Sequence, residues 1–308
     1  MFAAGRRILG ESHPGAAPDG RERDIVTITA EQLVATIDEL ALAQRPVMVH
    51  ASLRSFGEPV DGGPDAVLDA LLSRGCTILV PAFTEPQFAV VPPATMRPAR
   101  NGIDYTALPG KVATPSEADA CYTYTVDCRV INSRMGALPA RLLARGDARR
   151  GRHPLNSFAA VGPQAAELVA AQTPTDVYGP VRTLADANGA ILLLGVDLNR
   201  MTALHLAEQS AGRRLPVRWA RAADSRVIMV ETGPCSEGFP RLEPWLRPLA
   251  RTARVGGSRW SAYPAKETLT AAVAAMTADQ NVTHCADPEC LACRDSVAGG
   301  PIGPAPLG

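Results

Sequence analysis

Apolar positions along this chain fall into two alternating rhythms, and the alternation predicts the fold class. Leu33, Ile37, Leu40 and Leu42 follow a helical stripe behind Thr29 and Gln32, which are spaced as a capping box, and Pro46 closes that helix. Residues 47–50 form a short apolar run ending in His50, the pattern of a buried strand. Gly57, Gly62 and Gly63 then precede an amphipathic helix with Pro64 in its first turn, and residues 76–82 read as a second strand. Helix, strand, glycine-rich loop, helix, strand in succession predicts an α/β protein whose helices pack on the faces of a parallel sheet.

Residues 85–131 break this rhythm: five prolines lie between Pro86 and Pro109, and a stretch of that length reads as a functional flap or an insertion. The pattern resumes with helices over 135–146 and from Pro163 onward. Gly179, Pro180 and a short helix over 181–187 mark a loop on the substrate side. Residues 191–196 are the next buried strand, and 203–212 read as a helix. Strand-like alternation covers 226–232, and helical patterns cover 241–252 and 265–277. The expected organisation is a mobile tail over 1–23, one domain over 24–280, and a cysteine-containing segment over 281–308 that ends in a disordered glycine–proline tail.

Charge removes several function classes. Thirty-one acidic and 31 basic residues balance over 308, so no global field favours nucleic acid or an anionic membrane. No apolar run approaches the roughly 18 residues of a spanning helix, and the N-terminal stretch lacks the apolar core of a secretory signal. Seven cysteines, an odd number without secretory context, predict reduced thiols in a cytoplasmic protein.

The candidate chemistry gathers at strand ends. The strand over 191–196 leads to Thr202, placed as a helix N-cap, and to His205 and Glu208, which share a helix face at three-residue spacing. His50 and Ser52 occupy the end of the first strand, the edge where α/β sheets bind ligands. In RHPLNSF, His153 and Ser157 either line a substrate channel or brace the sheet edge. Arginines 145, 149, 150 and 152 supply guanidinium forks suited to phosphate, whereas the glycines at 57, 62 and 63 form neither a dinucleotide fingerprint nor a P-loop. His284, Cys285, Cys290 and Cys293 are spaced as ligands for a structural zinc or stand as free thiols.

Four segments resemble the aminoglycoside 3-N-acetyltransferases: VHASLRSFGEPVDGGPDAVLDALLSRGCTILVPAFT, MGALPARLLARGDARRGRHPLNSFAAVG, YGPVRTLADANGAILLLGV and MTALHLAEQSAG. The resemblance implies a single-domain three-layer α/β/α sandwich around a largely parallel or mixed sheet. It also implies acetyl-CoA as co-substrate, an aminoglycoside as acceptor, and antibiotic resistance as the role. Acetylating an amine needs a neutral nitrogen, and histidine is the natural base near pH 7. By resemblance the base falls on His205 and its carboxylate partner on Glu231; Glu208 is the nearer alternative, or else a contact to the cationic acceptor. Thr202 would face the oxyanion or the thioester sulfur, and His153 and Ser157 the substrate. His50, Ser52 with the following Leu53 amide, and Arg152 would hold CoA. Ala51 stands where the family carries a serine, and Ala140 where it often has a glutamate. An acetyltransferase for another amine and a non-catalytic, zinc-containing binding protein are the alternative readings, and a homodimer is compatible with either.

Overall fold

Thr29 caps the first helix, α1 (Ala30–Glu39): its hydroxyl accepts from the Gln32 amide, the Gln32 side chain accepts from the Thr29 amide, and Leu33 and Ile37 turn inward. A computed structural model of the protein describes residues 27–107 and 123–299; the tail over 1–23, residues 108–122 of the irregular segment, and the chain from 300 onward lie outside the described residues.

Along the chain follow β1 (Pro46–Ala51), α2 (Gly63–Ser73), β2 (Thr77–Pro81), β3 (Ala89–Val90), α3 (Ala137–Ala144), β4 (Arg149–Arg150), β5 (Phe158–Val161), α4 (Ala165–Ala170), α5 (Gly179–Asp186) and β6 (Ala190–Leu194). Then come α6 (Leu204–Ser210), β7 (Val217–Arg221), β8 (Val227–Glu231), α7 (Glu243–Leu246), β9 (Arg251–Val255), β10 (Ser258–Pro264), α8 (Ala265–Ala278) and α9 (Leu291–Asp295).

Seven strands form one sheet in the order β4-β5-β2-β1-β6-β10-β9. Only its centre is parallel, β1 running with both β2 and β6; the outer pairings are antiparallel, so the sheet is mixed. Side chains alternate across it as the pleat demands. Met48, Ile191 and Leu193 face one core with α4, α5, α6 and α8, while Val47, Val49, Leu192 and Leu194 face the other with α1, α2 and α3. The result is the three-layer α/β/α arrangement. Burying each Val, Leu, Ile or Met contributes about 1.5–3 kcal/mol, and β1 and β6 are almost wholly apolar for that reason.

A second, antiparallel sheet, β3-β7-β8, has its own cluster of Phe88, Tyr124, Cys128, Leu155, Ala220 and Val230. Residues 281–299 dock on the main body. Val282 enters the first core, and the buried Asp295 accepts from the Gly102 amide and pairs with Arg100 and Arg294.

Two elements differ from the pattern. The helix expected over 241–252 is a run of short turns around α7, because Pro240, Pro244 and Pro248 each remove a backbone donor; Arg251 and Thr252 already belong to β9. The β9–β10 hairpin was hidden by polar residues in buried places: Ser258 and Ser261 are both buried on β10. Among the described residues no helix is long and apolar enough to cross a membrane.

Candidate active site

β6 ends at Gly195, whose φ of +60° and lack of a side chain both matter, since a Cβ there would meet Ser55 Oγ at 1.8 Å. The chain turns through residues 198–200 and enters α6, which carries His205 and Glu208 on one face. Nδ1 of His205 donates to Oε2 of Glu208 at 2.7 Å. The other oxygen of Glu208 accepts from Arg213 Nη1 at 2.5 Å, from Thr283 Oγ1 at 3.3 Å and from Ser296 Oγ at 3.4 Å. Glu208 is 1% exposed and Arg213 4%, so a buried ion pair fixes the carboxylate, and Arg213 is itself tied to Thr283 at 2.6 Å and to the Gln280 carbonyl.

In the tautomer that donates from Nδ1 to Glu208, Nε2 carries the lone pair, and no other hydrogen bond reaches the ring among the described residues. Tyr178 stacks on the imidazole at 5.8 Å between centroids and 23° between planes, and Phe239 tilts against it at 4.8 Å. Gly233 closes over the nitrogen: a Cβ at this position would lie 2.9 Å from Nε2 and 2.5 Å from the Tyr178 hydroxyl. Only a residue without a side chain leaves the lone pair accessible. Burial holds the Tyr178 hydroxyl well above its ordinary pKa, and the surrounding carboxylates of Glu208, Glu85 and Glu231 push the same way.

The carboxylate expected to partner His205 was Glu231, and here the structure corrects the sequence reading. Glu231 ends β8 with its backbone carbonyl accepting from His153 Nε2 at 2.6 Å; its side chain is half-buried and its Oε2 has no hydrogen-bond partner among the described residues. Burial, reinforced by Asp176, pushes its pKa up to about 6. The acceptor-contact role for Glu208 fails for the complementary reason, since both its oxygens are used inside the protein.

Other expected residues are placed as follows. Thr202 is not the N-cap: α6 begins one residue later, behind Ala203, and Thr202 contributes its carbonyl to the His205 amide while its side chain stays partly exposed. His153 and Ser157 brace rather than bind. His153 is fully buried, its Nδ1 accepts from the Leu155 and Asn156 amides at 3.2 and 2.8 Å, and burial lowers its pKa to about 4. Ser157, also fully buried, donates to the Ala82 carbonyl at 2.8 Å and accepts from Arg150 Nε at 3.0 Å.

Arg150 is likewise consumed, its guanidinium also reaching the carbonyls of Ala82, Val130 and Cys128, whereas Arg152 is exposed. Arg145 pairs with Asp69 and Asp147. At the end of β1, His50 is 8% exposed with Nε2 lacking a partner among the described residues, and burial lowers its pKa to about 3. Ser52 and Leu53 form the turn beyond it, the Ser52 amide donating to the Leu194 carbonyl at 2.9 Å.

The C-terminal ligand set also changes. His284 stays out of the cysteine cluster, its Nε2 buried, while Cys235 from the loop after β8 joins Cys285, Cys290 and Cys293. Adjacent side chains on one loop diverge, so His284 and Cys285 do not converge on one point. Cys235 lies 50 positions upstream, and only the imperfect C-terminal half-site pointed to a missing ligand. Arg213, Tyr178, Phe239 and Gly233 were missed as well: Arg213 reaches Glu208 from just beyond α6, and Tyr178 and the loop holding Gly233 and Phe239 reach His205 from elsewhere in the chain.

A mixed α/β sheet whose strand β6 leads into a helix carrying a buried histidine–carboxylate pair is an arrangement suited to base-assisted transfer or hydrolysis. Comparison with known proteins narrows that choice. Residues 48–277 match the family model described as aminoglycoside 3-N-acetyltransferase, and the chain belongs to that family. It is 33% identical over 195 residues to aminoglycoside N(3)-acetyltransferase VIII of Streptomyces fradiae, a match covering 60% of this chain and 62% of that one. To aminoglycoside N(3)-acetyltransferase IX of Micromonospora chalcea it is 32% identical over 195 residues, covering 61% and 64%. The chain thus spans less than two thirds of the length of either relative. Its fold matches the apoenzyme of aminoglycoside acetyltransferase AAC(3)-IVa with a TM-score of 0.66 at 21% identity, over 90% of this chain and 100% of that one. It also matches AAC-IIIb bound to CoASH with a TM-score of 0.65 at 21% identity, over 82% and 97%.

Proposed function

We propose that this protein transfers the acetyl group of acetyl-CoA to an amino group of an aminoglycoside, the 3-amino group of its 2-deoxystreptamine ring, with His205 as general base. The observation that carries the reading is the His205–Glu208 pair: one ring nitrogen is tied to a buried carboxylate at 2.7 Å and the other makes no hydrogen bond among the described residues. Family membership and the names of the sequence relatives support the reaction type and the acceptor. A fold neighbour in complex with gentamicin and another bound to CoASH support the pairing of substrates.

The acceptor amine attacks the thioester carbonyl while Nε2 of His205 removes its proton. Glu208 stabilises the imidazolium that forms, and Arg213 holds the Glu208 carboxylate in place. Thr202, partly exposed one helical turn before His205, donates to the developing oxyanion. When the C–S bond breaks, the proton held on His205 passes to the departing thiolate, so the chain returns to its starting state. Glu231 and Glu85, the carboxylates facing Tyr178, give the cleft a negative wall suited to a polycationic acceptor. The turn of Ser52 and Leu53 and the imidazole of His50 hold the pantetheine arm, with Arg152 toward the phosphates.

Acetylation removes one positive charge from the drug and weakens its hold on RNA phosphates, which is the basis of resistance. Cys76, Cys235, Cys285, Cys290 and Cys293 are not joined in disulfides among the described residues, which suits action in the cytoplasm, where acetyl-CoA is available. The test is thiol release from acetyl-CoA with a panel of 2-deoxystreptamine aminoglycosides. Release with at least one of them, with the product acetylated at the 3-amino group, is expected; no release with any overturns the acceptor assignment.

A further inference from the structure

Four thiols that the transfer reaction does not use converge on one point. Cys235 comes from the loop after β8, Cys285 and Cys290 from the C-terminal segment, and Cys293 from α9. Their Sγ atoms all lie within 4.8 Å of one another, with Cys285 and Cys293 at 3.5 Å. These are not bonded sulfurs, since a disulfide holds them near 2.05 Å. They are instead close to the spacing of a tetrathiolate: Zn–S bonds of about 2.3 Å at tetrahedral angles put the sulfurs about 3.8 Å apart. The Cys285 amide also donates to Cys293 Sγ at 3.3 Å, the kind of contact that stabilises a metal-bound thiolate.

We infer that Cys235, Cys285, Cys290 and Cys293 bind one structural zinc ion. Four thiols lose four protons and Zn²⁺ takes four thiolates, giving a closed site with no position for water or substrate. An all-thiolate donor set favours zinc over hard cations, and four protein ligands mark a structural rather than a catalytic site.

The position of the site gives it a purpose. The loop holding Cys235 also supplies Gly233, which faces Nε2 of His205, and Phe239, which packs on its ring. The segment holding the other three cysteines supplies Thr283 and Ser296, which hydrogen-bond Glu208 Oε1. Gly238 already packs against the backbone at Thr283, where a Cβ would come within 2.0 Å of the carbonyl oxygen. The ion therefore ties together the two segments that position the histidine and its carboxylate from outside α6. It holds them without touching either group.

Elemental analysis of the purified full-length protein tests this without reference to catalysis, so its outcome is independent of the acetyl-transfer reading. One zinc per chain is expected, falling well below half in Cys290→Ser and in Cys235→Ser and unchanged in Cys128→Ala. Should the cysteine variants fail to fold, cobalt substitution of the wild type remains: an intense sulfur-to-cobalt charge-transfer band with tetrahedral d–d absorption is expected. Stripping the metal should speed hydrogen–deuterium exchange in residues 233–239 and 283–296 ahead of the central sheet. Negligible zinc in protein expressed with zinc supplementation, iron in its place, or all four thiols reacting freely with Ellman's reagent in the native protein would overturn the assignment.

Discussion

Oε2 of Glu208 accepts from Nδ1 of His205 at 2.7 Å while Oε1 is clamped by Arg213 at 2.5 Å, so one buried carboxylate is shared between a candidate base and a permanent cation. Two substitutions separate these duties. Glu208→Gln keeps the shape but removes the charge that stabilises the imidazolium, and kcat should fall about 100-fold or more. Glu208→Ala also strands Arg213 in the interior, and breaking a buried pair in this way costs about 3–5 kcal/mol. Thermal unfolding of Glu208→Ala at the wild-type temperature would show that the Glu208–Arg213 pair does not stabilise the fold.

Gly233→Ala should damage turnover more than stability. The new methyl would sit 2.5 Å from the Tyr178 hydroxyl and 2.9 Å from His205 Nε2, and Tyr178 is 1% exposed, with no space to retreat into. Displacement of the ring by several tenths of an ångström is expected, with kcat lowered about 100-fold. Steady-state kinetics beside a melting curve would check this, and a wild-type kcat would mean that Gly233 does not face the reacting atoms.

How much of this was legible in the sequence depended on the distance between interacting residues. The stripe of α1, the apolar runs of β1 and β6, and the i,i+3 relation of His205 and Glu208 are local, and each could be read from spacing. The partner of His205 was misassigned because helical adjacency alone cannot say whether a carboxylate points to the cleft or to the interior. What decides the matter is Arg213, together with Thr283 and Ser296, which lie 75 and 88 positions beyond Glu208. Likewise RHPLNSF left binding and bracing open, and the choice fell to partners remote in sequence, Glu231 for His153 and Ala82 for Ser157.

Glu231 gives a pH signature. Burial raises its pKa to about 6, so the carboxylate is charged above that pH and neutral below it. KM for a cationic acceptor should therefore rise as pH falls from 7 to 5. Glu231→Gln should raise KM about tenfold at pH 7.5, about 1.4 kcal/mol, with little change in kcat. Because protonation of the acceptor affects both proteins equally, the informative quantity is the ratio of their KM values. A ratio that stays constant from pH 5 to 8 would exclude Glu231 from acceptor binding.

Acid should destabilise the fold through two imidazoles kept neutral by burial. His50 and His153 have folded pKa values lowered to about 3 and about 4 from an ordinary 6.5. Below pH 6.5 the unfolded chain takes up protons that the folded chain refuses. The stability present above pH 6.5 is accordingly lost as pH falls toward 4 for His153 and toward 3 for His50. Urea unfolding between pH 7.5 and 4.5 should show a falling midpoint, less steep in His50→Met. A midpoint independent of pH over that range would contradict the burial of both rings.

The role of His205 as the base for acetyl transfer is put to the test by measuring thiol release from acetyl-CoA by wild type and His205→Ala side by side. Each would be assayed with saturating 2-deoxystreptamine aminoglycoside, with the fold of the variant verified by circular dichroism. A loss of at least 100-fold in kcat with the secondary structure intact is expected. A folded His205→Ala protein that turns over at the wild-type rate would contradict it.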